Sequence, residues 1–344
     1  MRAAVFGAAG YGGIELVRLL HLHPEVELVY LADPAFEGKR VPEVFPHLAG
    51  CVELPFEAPS VPRAVECADV IFFCLHPGIA MDMVAEALQA GRVVLDFSAD
   101  FRLRSRERYE AYYETHRQPD LIPQAVYGLP ELHRKELAAT RLVAVPGCYP
   151  TSGTLALAPL VANGLIDTNC LIVNSASGVS GMGRKPSLPG HFPECNEDAR
   201  AYGIGVHRHT PEMEQELGGL TSEPLKVLFV PHLIPVSRGI VTTAYAPLKR
   251  EATTAELLEA YREFYRGEPF VRVRGESESV SLKPVQGTNY CDVGVRADSR
   301  TGMAVGLASI DNLGKGLSSA AVQCMNVCCG FDETAGLRQP AIWP

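Results

Sequence analysis

Long apolar runs are missing from this sequence of 344 residues, and so is any run of repeats or low-complexity sequence. No stretch is apolar for the length that crosses a bilayer. The opening segment MRAAVFGAAGYGG reaches glycines before it builds a charged and then apolar leader. We therefore expect a cytoplasmic protein without a membrane span, and not a repeat architecture.

Basic charge is also scarce, because 40 acidic residues outnumber 31 lysines and arginines and give a net charge of -9. The negative electrostatic field of such a protein repels nucleic acid and anionic lipid, so neither is expected as a partner. An anionic small molecule would need cations placed locally. The ten cysteines lack the dense spacing of a disulfide scaffold and fit a reducing compartment.

The first half of the chain alternates between strands and helices. Apolar runs at 2–6, 26–31, 70–75 and 93–98 predict strands, and the pattern over 79–90 predicts a helix. This alternation indicates an α/β domain with a parallel, doubly wound sheet.

The second half of the chain has a different pattern. A predicted helix at 151–161 is followed by long strand-like runs from 171 and from 226. These runs indicate a mostly antiparallel sheet in a separate α+β domain. Near the C-terminus, 304–311 predicts a strand and 315–329 a helix.

Gly7, Gly10 and Gly13 stand between a predicted strand and a predicted helix with the spacing G-x-x-G-x-x-G. Small residues there let the backbone approach a pyrophosphate, and the helix N-terminus supplies N–H groups and partial positive charge. An ordinary tight turn uses the same residues, since a lone glycine pattern is weak. The position at the start of the chain favours a dinucleotide-binding loop.

Asp33 ends the second predicted strand, about 20 residues after the glycines, where a dinucleotide places its adenosine ribose. A carboxylate there favours NAD over NADP, because it bonds a free 2'-hydroxyl and repels a 2'-phosphate. Lys39 and Arg40 follow and would neutralise a phosphate if the loop folds back. Alternatively, Asp33 caps a turn with Pro34.

Cys148 follows an apolar strand that ends at Pro146 and Gly147, and it precedes a predicted helix with Pro150 in its first turn. A helix N-terminus stabilises a thiolate through the dipole and N–H groups, which also serve as donors to an oxyanion. A buried structural cysteine is the alternative. The glycine before and the helix after Cys148 favour a nucleophile.

His207 and His209 lie two residues apart and point the same way if the segment is extended. Thr210 and Pro211 predict a helix cap and its first residue. A third ligand at metal-site spacing is not evident, so no metal is expected. A near-neutral histidine keeps a thiol ionised and exchanges a proton with a carbonyl oxygen, which favours acid/base and anion-binding roles. A satisfied core or surface histidine remains the alternative, for His207 especially.

Several cations fall in glycine-rich or strand-end segments, namely Arg102, Arg184, Lys185 and Arg238. Loops of this kind place guanidinium and N–H groups around phosphate or carboxylate. Each alone is typical of a solvated surface charge, whereas together they supply what an anionic substrate requires. The segment CLHPG at 74–78 follows a strand end and is predicted to line the cofactor crevice.

Seven segments resemble, in order, the signature segments of the N-acetyl-gamma-glutamyl-phosphate reductase family: GAAGYGG, SADFRL, VPGCYPT, SGVSGMGRK, GVHRHTPE, PVSRGI and SIDNLGKGLSSAAVQCMN. The resemblance implies a Rossmann domain, 1–147 with 313–344. It also implies an inserted α+β domain, 148–312, similar to that of glyceraldehyde-phosphate and aspartate-semialdehyde dehydrogenases. A homodimer or homotetramer is expected on the same ground.

The resemblance also implies roles for particular residues. Cys148 would be the nucleophile and His209 the acid/base. Substrate contacts are expected from Arg102, Arg184, Tyr202, His207 and Arg238. Cofactor contacts are expected from Gly7, Gly10, Tyr11, Gly12, Gly13, Asp33, His76, Pro77, Ser180, Gly181 and Asn312.

The reaction that the resemblance implies is the NADP-dependent reductive dephosphorylation of N-acetyl-L-glutamyl 5-phosphate in arginine biosynthesis, through a thioester on Cys148. The segment Asp33-Pro34-Ala35 departs from the family, which has a Ser-Arg-Ser-like stretch there, so NAD or dual use stays open. Two alternatives remain. One is a reductase of aspartyl phosphate or carrier-bound aminoadipyl phosphate, and the other is a cysteine hydrolase that uses Cys148 and His209 without a nucleotide.

Overall fold

The computed structural model describes residues 1–343, and these form two compact units. Unit 1 consists of Met1–Pro146 and Leu317–Gln339, and unit 2 of Gly147–Gly316 with the segment from Pro340. Within the described residues, no helix combines the length and the apolar character needed to cross a membrane.

Strands and helices alternate through unit 1. Its elements up to Pro146 are β1 (Arg2–Phe6), α1 (Tyr11–His21), β2 (Glu27–Ala32), α2 (Val41–Val44), β3 (Phe56–Glu57), α3 (Val61–Cys67), β4 (Val70–Phe73), α4 (Met81–Gln89), β5 (Val93–Asp96), α5 (Arg106–Tyr112), β6 (Ala125–Tyr127), α6 (Pro130–Leu137) and β7 (Leu142–Ala144). The strands form one parallel sheet in the order β3-β2-β1-β4-β5-β7-β6. The predicted doubly wound sheet is confirmed, and its order reverses between β1 and β4, where ligands bind at the carboxyl ends of such sheets.

Burial explains why the short segments of unit 1 are strands. All of β4 and the last four residues of β1 are buried, as parallel strands covered on both faces are. The rings of Phe6 and Phe73 lie 4.9 Å apart, and Phe6 meets Tyr30 edge-on at 5.6 Å. Each such buried side chain stabilises the fold by roughly 2–3 kcal/mol.

Unit 2 contains the second sheet. Its elements are α7 (Cys148–Ala162), β8 (Leu171–Gly178), α8 (Phe192–Cys195), β9 (Arg200–Ala201), α9 (Thr210–Gly218), β10 (Val227–Ile234), β11 (Ile240–Pro247), α10 (Thr254–Phe264), β12 (Val271–Val273), β13 (Cys291–Asp298) and β14 (Met303–Ile310). The strand order is β12-β13-β14-β11-β8-β10-β9. Among the strand pairs described in this second sheet, β10–β8 and β12–β13 are parallel and the other four are antiparallel, so the predicted mostly antiparallel sheet is confirmed.

The chain then returns to unit 1 as α11 (Ser319–Cys329), which packs against α1 and α6. His23 Nε2 and Asn326 Oδ1 lie 2.8 Å apart, and Ser318 Oγ donates to Gly12 O at 2.8 Å. The C-terminal helix is therefore part of the first unit.

Helix α7 is buried around almost its whole circumference and packs on β11 and β14. Ser152 Oγ donates to Thr242 Oγ1 of the sheet at 2.6 Å. Pro159 has no N–H for the carbonyl of Leu155, and the Tyr265 hydroxyl donates to that carbonyl instead, at 2.6 Å. These contacts fix the helix, and with it its N-terminus, to the sheet.

Two helix starts differ from the sequence prediction. Helix α7 begins at Cys148 rather than at residue 151, because Gly147 takes the N-cap position and Pro150 is tolerated in a first turn. Helix α9 begins at Thr210, and His209, not Thr210, occupies its N-cap.

Candidate active site

Cys148 is the first residue of α7 and follows the turn after β7. Gly147 is the N-cap, and no side chain caps the helix. A helix start without a side-chain cap offers its N–H groups and partial positive charge to an anion, which stabilises a thiolate there. The structure thus places Cys148 in the first turn of the helix, whereas the sequence predicted it just before the helix.

The His209 ring lies against the backbone beside Cys148. A Cβ built on Gly147 would come within 2.7 Å of His209 Nε2, a distance that real Cβ atoms essentially never show. A Cβ built on Gly316 would likewise come within 2.8 Å of Cys148 Cβ. Because Gly147 and Gly316 have no side chains, the His209 imidazole and the turn at Gly316 can lie directly against the backbone at Cys148.

Glu212 joins the nucleophile turn to the histidine, and sequence reasoning missed it. Its side chain is buried, and its Oε2 accepts the N–H of Gly147 at 3.1 Å. Its Oε1 lies 4.0 Å from His209 Nε2. The signal was present, because Glu212 stands three residues after His209 in HRHTPE and so falls on the same face of the first turn of α9.

His207 lies beside His209, with ring centroids 4.9 Å apart. Burial, and then the charge of Arg208, lower the pKa of His207 from 6.5 to about 4, so this imidazole is neutral near pH 7. The backbone N–H of His209 donates to His207 Nδ1 at 3.1 Å, which puts the ring proton on Nε2. A turn, not the extended segment that the sequence suggested, brings the two rings together.

Two tyrosine hydroxyls lie near the histidines. Tyr149 OH and Tyr202 OH lie 3.0 Å apart, and Tyr149 OH also donates to His232 O at 3.3 Å. The Tyr149 ring meets those of His207 and His209 edge-on at 5.7 and 5.9 Å. Burial raises the pKa of both tyrosines, so both remain neutral phenols and can donate hydrogen bonds.

A cavity of about 440 Å³ opens beside Cys148 within unit 2. Its lining includes Ser177, Gly181, Tyr202, His207, His209 and two arginines, Arg200 and Arg208. Arg200 also pairs with Asp198 at 3.2 Å. Neither arginine was predicted as a site residue, although the place of Arg208 between the two histidines was a usable signal. The cavity can therefore attract an anionic group close to a thiol and an imidazole.

The predicted cofactor residues of unit 2 lie together. Asn312 Nδ2 donates to Ser180 Oγ at 2.9 Å, and Asn312 Oδ1 accepts the N–H of Gly239 at 2.6 Å. Ser180 precedes Gly181, which lines the cavity beside Cys148. The structure thus connects Asn312 to the edge of the cavity.

Two predicted substrate arginines of unit 2 lie elsewhere. Arg238 forms an ion pair with the buried carboxylate of Asp311 at 2.9 Å. Arg184 is half-buried in the loop that follows Met182. Within the described chain, the residues that line the cavity include neither of them.

The glycine loop of unit 1 joins β1 to α1. Gly7 has a φ of +70°, and a Cβ on it would lie 2.3 Å from Cys74 O, so only glycine fits there. A Cβ on Gly13 would lie 2.1 Å from Gly7 O, so α1 packs closely on the loop. Gly10 is the N-cap of α1, no side chain caps this helix, and Tyr11 and Gly12 form its start. An uncapped helix start on a close-packed glycine loop fits the pyrophosphate of a nicotinamide dinucleotide.

Asp33 lies at the end of β2 and contacts that loop. Its Oδ2 accepts the N–H of Ala9 at 3.0 Å, and its Oδ1 accepts the N–H of Ala35 at 3.1 Å. Arg40 pairs with Glu53 at 2.9 Å. Asp33 therefore caps its own turn and also stands beside the glycine loop.

His76 and Pro77 follow β4 in a turn that is held from inside unit 1. The N–H of Gly78 donates to both carboxylate oxygens of the buried Asp100, at 2.9 and 3.0 Å. Arg102 is buried too, and it donates to Val145 O and Phe97 O at 2.7 Å each. The bonds of Arg102 thus tie together the chain segments that follow β5 and β7.

Two family models match the chain. "Semialdehyde dehydrogenase, NAD binding domain" covers residues 2–140, and "Semialdehyde dehydrogenase, dimerisation domain" covers 148–312. A protein of Pelotomaculum thermopropionicum named N-acetyl-gamma-glutamyl-phosphate reductase is 49% identical over 100% of this chain and 99% of its own. A protein of the same name from Syntrophobacter fumaroxidans is 50% identical over 100% and 99%.

Solved structures share the fold. Aspartate semialdehyde dehydrogenase II of Vibrio cholerae superposes with a TM-score of 0.71 at 16% identity, over 96% of this chain and 98% of that one. The aspartate semialdehyde dehydrogenase of Candida albicans, solved with NADP, gives 0.71 at 17% identity over 95% and 97%. The relatives named above match along their whole length, so the chain belongs to the N-acetyl-gamma-glutamyl-phosphate reductase family.

Proposed function

We propose that the protein reduces N-acetyl-L-glutamyl 5-phosphate to N-acetyl-L-glutamate 5-semialdehyde and phosphate, as a step of arginine biosynthesis. The observation that carries the proposal is the approach of His209 to the backbone beside Cys148 at the edge of a cationic cavity. The names of the relatives supply the substrate. The ten cysteines, all within the described residues, form no disulfide, which fits a reducing compartment, and the proposal places the enzyme in the cytoplasm.

In the first step, the Cys148 thiolate attacks the acyl carbon of the substrate. The carbon–sulfur bond forms, the bond to the phosphate oxygen breaks, and phosphate leaves with the bonding electrons. His209 accepts the proton of the thiol beforehand, a role that its closeness to the nucleophile turn supports. N–H groups of the first turn of α7 stabilise the negative charge that develops on the acyl oxygen.

In the second step, the thioester on Cys148 is reduced. A reduced nicotinamide supplies the hydride to the thioester carbon when it is bound. His209 gives a proton to the oxygen that gains charge, and it takes that proton back when the thiohemiacetal collapses. The carbon–sulfur bond breaks, the aldehyde leaves, and Cys148 departs as the thiolate that begins the next turnover.

The remaining cavity residues bind and orient the substrate. Tyr202 and the neutral His207 offer hydrogen bonds, whereas Arg200 and Arg208 offer charge to the anionic substrate. Glu212 holds the turn at Gly147 and orients His209 through Oε1, which lies 4.0 Å from the Nε2 that faces this turn. Arg102 and Arg184 stay predictions as substrate contacts.

The nucleotide is proposed to bind unit 1 through the glycine loop, the end of β2 and the His76–Pro77 turn. Ser180, Gly181 and Asn312 stay predictions as cofactor contacts. The family favours NADP(H), and Asp33 weakens that preference because its charge opposes a 2'-phosphate. Asp33→Asn removes that charge and is expected to raise the ratio of kcat/KM for NADPH to that for NADH about tenfold.

Steady-state kinetics with both coenzymes measures this ratio, and Glu37→Gln, a few residues along the same exposed loop, serves as the control. An unchanged ratio in Asp33→Asn would mean that the carboxylate acts only as a turn cap.

Unit 2 is proposed to form a homodimer or homotetramer through the face of its sheet that α7 does not cover. Along β11 the residues alternate, with Thr242 and Ala244 buried while Val241 and Tyr245 are only half-buried. Leu228 of β10 is 42% exposed. On a face of this kind, apolar side chains remain partly exposed to solvent until a second copy of the chain covers them.

Leu228→Glu is expected to convert the oligomer to monomers in light-scattering mass measurements, because it places a charge in the interface. Leu22→Glu, an equally exposed leucine in unit 1, is the control. A monomeric native protein, or an oligomer that Leu228→Glu leaves intact, would contradict this interface.

The experiment that tests the reaction runs it backwards. N-acetyl-glutamate semialdehyde and phosphate are added with NADP or NAD, and the absorbance of the reduced nicotinamide is followed. Phosphate-dependent reduction that disappears in Cys148→Ala supports the proposal, and Cys170→Ala, an exposed free cysteine, is the control. If the protein oxidised aspartate semialdehyde but not N-acetyl-glutamate semialdehyde, it would be a reductase of aspartyl phosphate instead. If it hydrolysed a thioester without any nucleotide, it would be a cysteine hydrolase.

A further inference from the structure

The carboxylate of Asp311, fully buried at the end of β14, is the centre of a hydrogen-bond network in unit 2. Its Oδ1 accepts the N–H groups of Leu313 and Gly314 at 2.8 and 2.9 Å. Its Oδ2 accepts the N–H of Gly287 at 2.6 Å. The carboxylate therefore holds its own turn and a second loop at once.

Arg238 completes this network. Its Nε lies 2.9 Å from Asp311 Oδ2, and its terminal nitrogen donates to Oδ1 at 3.1 Å, which is a two-pronged contact. The residue after it, Gly239, donates to Asn312 Oδ1. Two adjacent residues of one loop are thus tied to two adjacent residues of another.

The turn that Asp311 holds reaches the nucleophile. The N–H of Gly316 donates to Asp311 O at 2.9 Å, within a π-helical stretch, Gly314–Ser318, where the sequence predicts an ordinary helix. Gly316 in turn lies so close to Cys148 that no Cβ would fit between them. The π-helical winding therefore presses this turn against the first residue of α7, as such stretches often do at functional sites.

We infer that Arg238 and Asp311 form a positioning pair for Cys148 and Asn312, and that Arg238 is not a substrate anchor. The pair fixes the position of Gly316 in its contact with Cys148. It also fixes the orientation of the Asn312 amide, which donates to Ser180. Loss of Arg238 leaves the buried charge of Asp311 without its counterpart. Loss of the Asp311 charge weakens its bonds to Arg238 and to the N–H groups of Gly287, Leu313 and Gly314. In both cases the turn shifts. The consequence is a displaced nucleophile, for which a shift of about 1 Å costs on the order of 100-fold in rate.

Alkylation of Cys148 tests this inference without substrate or coenzyme, so its failure is distinguishable from failure of the proposed function. The rate of Cys148 modification by neutral iodoacetamide and by anionic iodoacetate is followed by peptide mass spectrometry. Arg238→Gln and Asp311→Asn are each expected to lower the iodoacetamide rate, by about tenfold. The double variant is expected to change it no further, because the two residues act as one unit.

The ratio of iodoacetate to iodoacetamide rates separates a positioning role from an anion-binding one. We expect Arg238→Gln to leave this ratio unchanged, whereas Arg208→Gln, which removes a cation of the cavity lining, lowers it. A lowered ratio in Arg238→Gln with an unchanged iodoacetamide rate would overturn the inference in favour of a substrate anchor. Lower thermal stability with unchanged alkylation would overturn it in favour of a merely structural pair.

A conservative variant covers the case in which Asp311→Asn does not fold. Arg238→Lys keeps the charge but loses the two-pronged contact, so it is expected to restore part of the alkylation rate lost in Arg238→Gln. Equal rates in Arg238→Lys and Arg238→Gln, both different from the native protein, still support the geometric role. Native rates in both would contradict it.

Discussion

Helices α1 and α7 begin alike and serve different purposes. Each follows a strand of the parallel sheet, each has a glycine at the N-cap, Gly10 or Gly147, and neither has a side-chain cap. The first residue after the cap differs: it is the exposed Tyr11 in α1, and it is Cys148 in α7. The two helix starts offer the same partial positive charge to different groups.

The surroundings of the two starts explain the difference. The start of α1 is partly open to solvent, with Tyr11 exposed and Gly12 half-buried, whereas α7 is buried almost throughout, with an imidazole and a glycine turn against its first residue. An open helix start can accept a phosphate from outside. A crowded one that carries its own thiol can activate that thiol, because the anion it stabilises is part of the chain.

The sharpest way to break this comparison is to add a methyl group to each N-cap. In Gly147→Ala the new Cβ would meet His209 Nε2 at 2.7 Å, so the ring must move, and we expect kcat to fall by about 100-fold. In Gly10→Ala the Cβ would lie 3.4 Å from Gly7 O, an ordinary contact, so kcat should change little. The methyl group stands where a pyrophosphate approaches, so the KM for the coenzyme should rise.

Steady-state kinetics in both substrates measures this split between kcat and KM. Gly218→Ala is the matched control, since a Cβ on this helical glycine meets nothing within 4 Å. If Gly147→Ala raised only the coenzyme KM, the two helix starts would be doing the same task, and the assignment of His209 would be wrong.

Local patterns predicted the early strands and the presence of α1 and α7, although α7 begins at Cys148 rather than at residue 151. The alternation of buried strands with helices up to 98 requires only nearest neighbours in sequence, and β1 occupies the predicted residues 2–6. The glycines around α1 and the glycine before Cys148 are local signals of the same kind. Such signals can be interpreted without the tertiary fold, because they reflect the local backbone geometry that the turn requires.

Contacts between distant segments were not predictable in the same way. Arg238 and Asp311 are 73 residues apart, and nothing near Arg238 indicates that its partner is a carboxylate rather than a ligand. Arg102 likewise reads as an exposed cation until β5 and β7 are paired and its bonds to backbone carbonyls become visible. A solvated arginine and a buried one look identical in a single sequence, since burial depends on the packing of the other elements.

The support of α7 offers a second, smaller contrast with α1. Tyr265→Phe removes the hydroxyl that donates to the Leu155 carbonyl, which Pro159 cannot serve, and leaving a buried carbonyl unpaired costs about 1–3 kcal/mol. We expect a lower melting temperature with the kinetic constants of coenzyme binding unchanged. Tyr112→Phe, at a 39% exposed tyrosine, is the control. A Tyr265→Phe variant as stable as the native protein would mean that the helix does not depend on this hydroxyl.

The smallest expected effect concerns pH and the neutral His207 near the start of α7. The folded imidazole stays neutral down to about pH 4, because it is buried among Tyr149, Tyr202 and His209 and lies beside the charge of Arg208. The unfolded imidazole binds a proton below its ordinary pKa of 6.5. The unfolded state therefore gains protons first, and His207 makes the protein lose stability as the pH falls from 6.5 towards 4.

Between pH 7 and pH 5 this loss should amount to about 1–2 kcal/mol and should be missing from His207→Asn. Urea denaturation midpoints of the two proteins at both pH values measure it, and His21→Asn, at the exposed end of α1, is the control. An equal pH slope in the native protein and in His207→Asn would mean that the ring is already hydrated in the folded state. The start of α7 would then be as open as the start of α1, and the contrast between the two helices would rest on Cys148 alone.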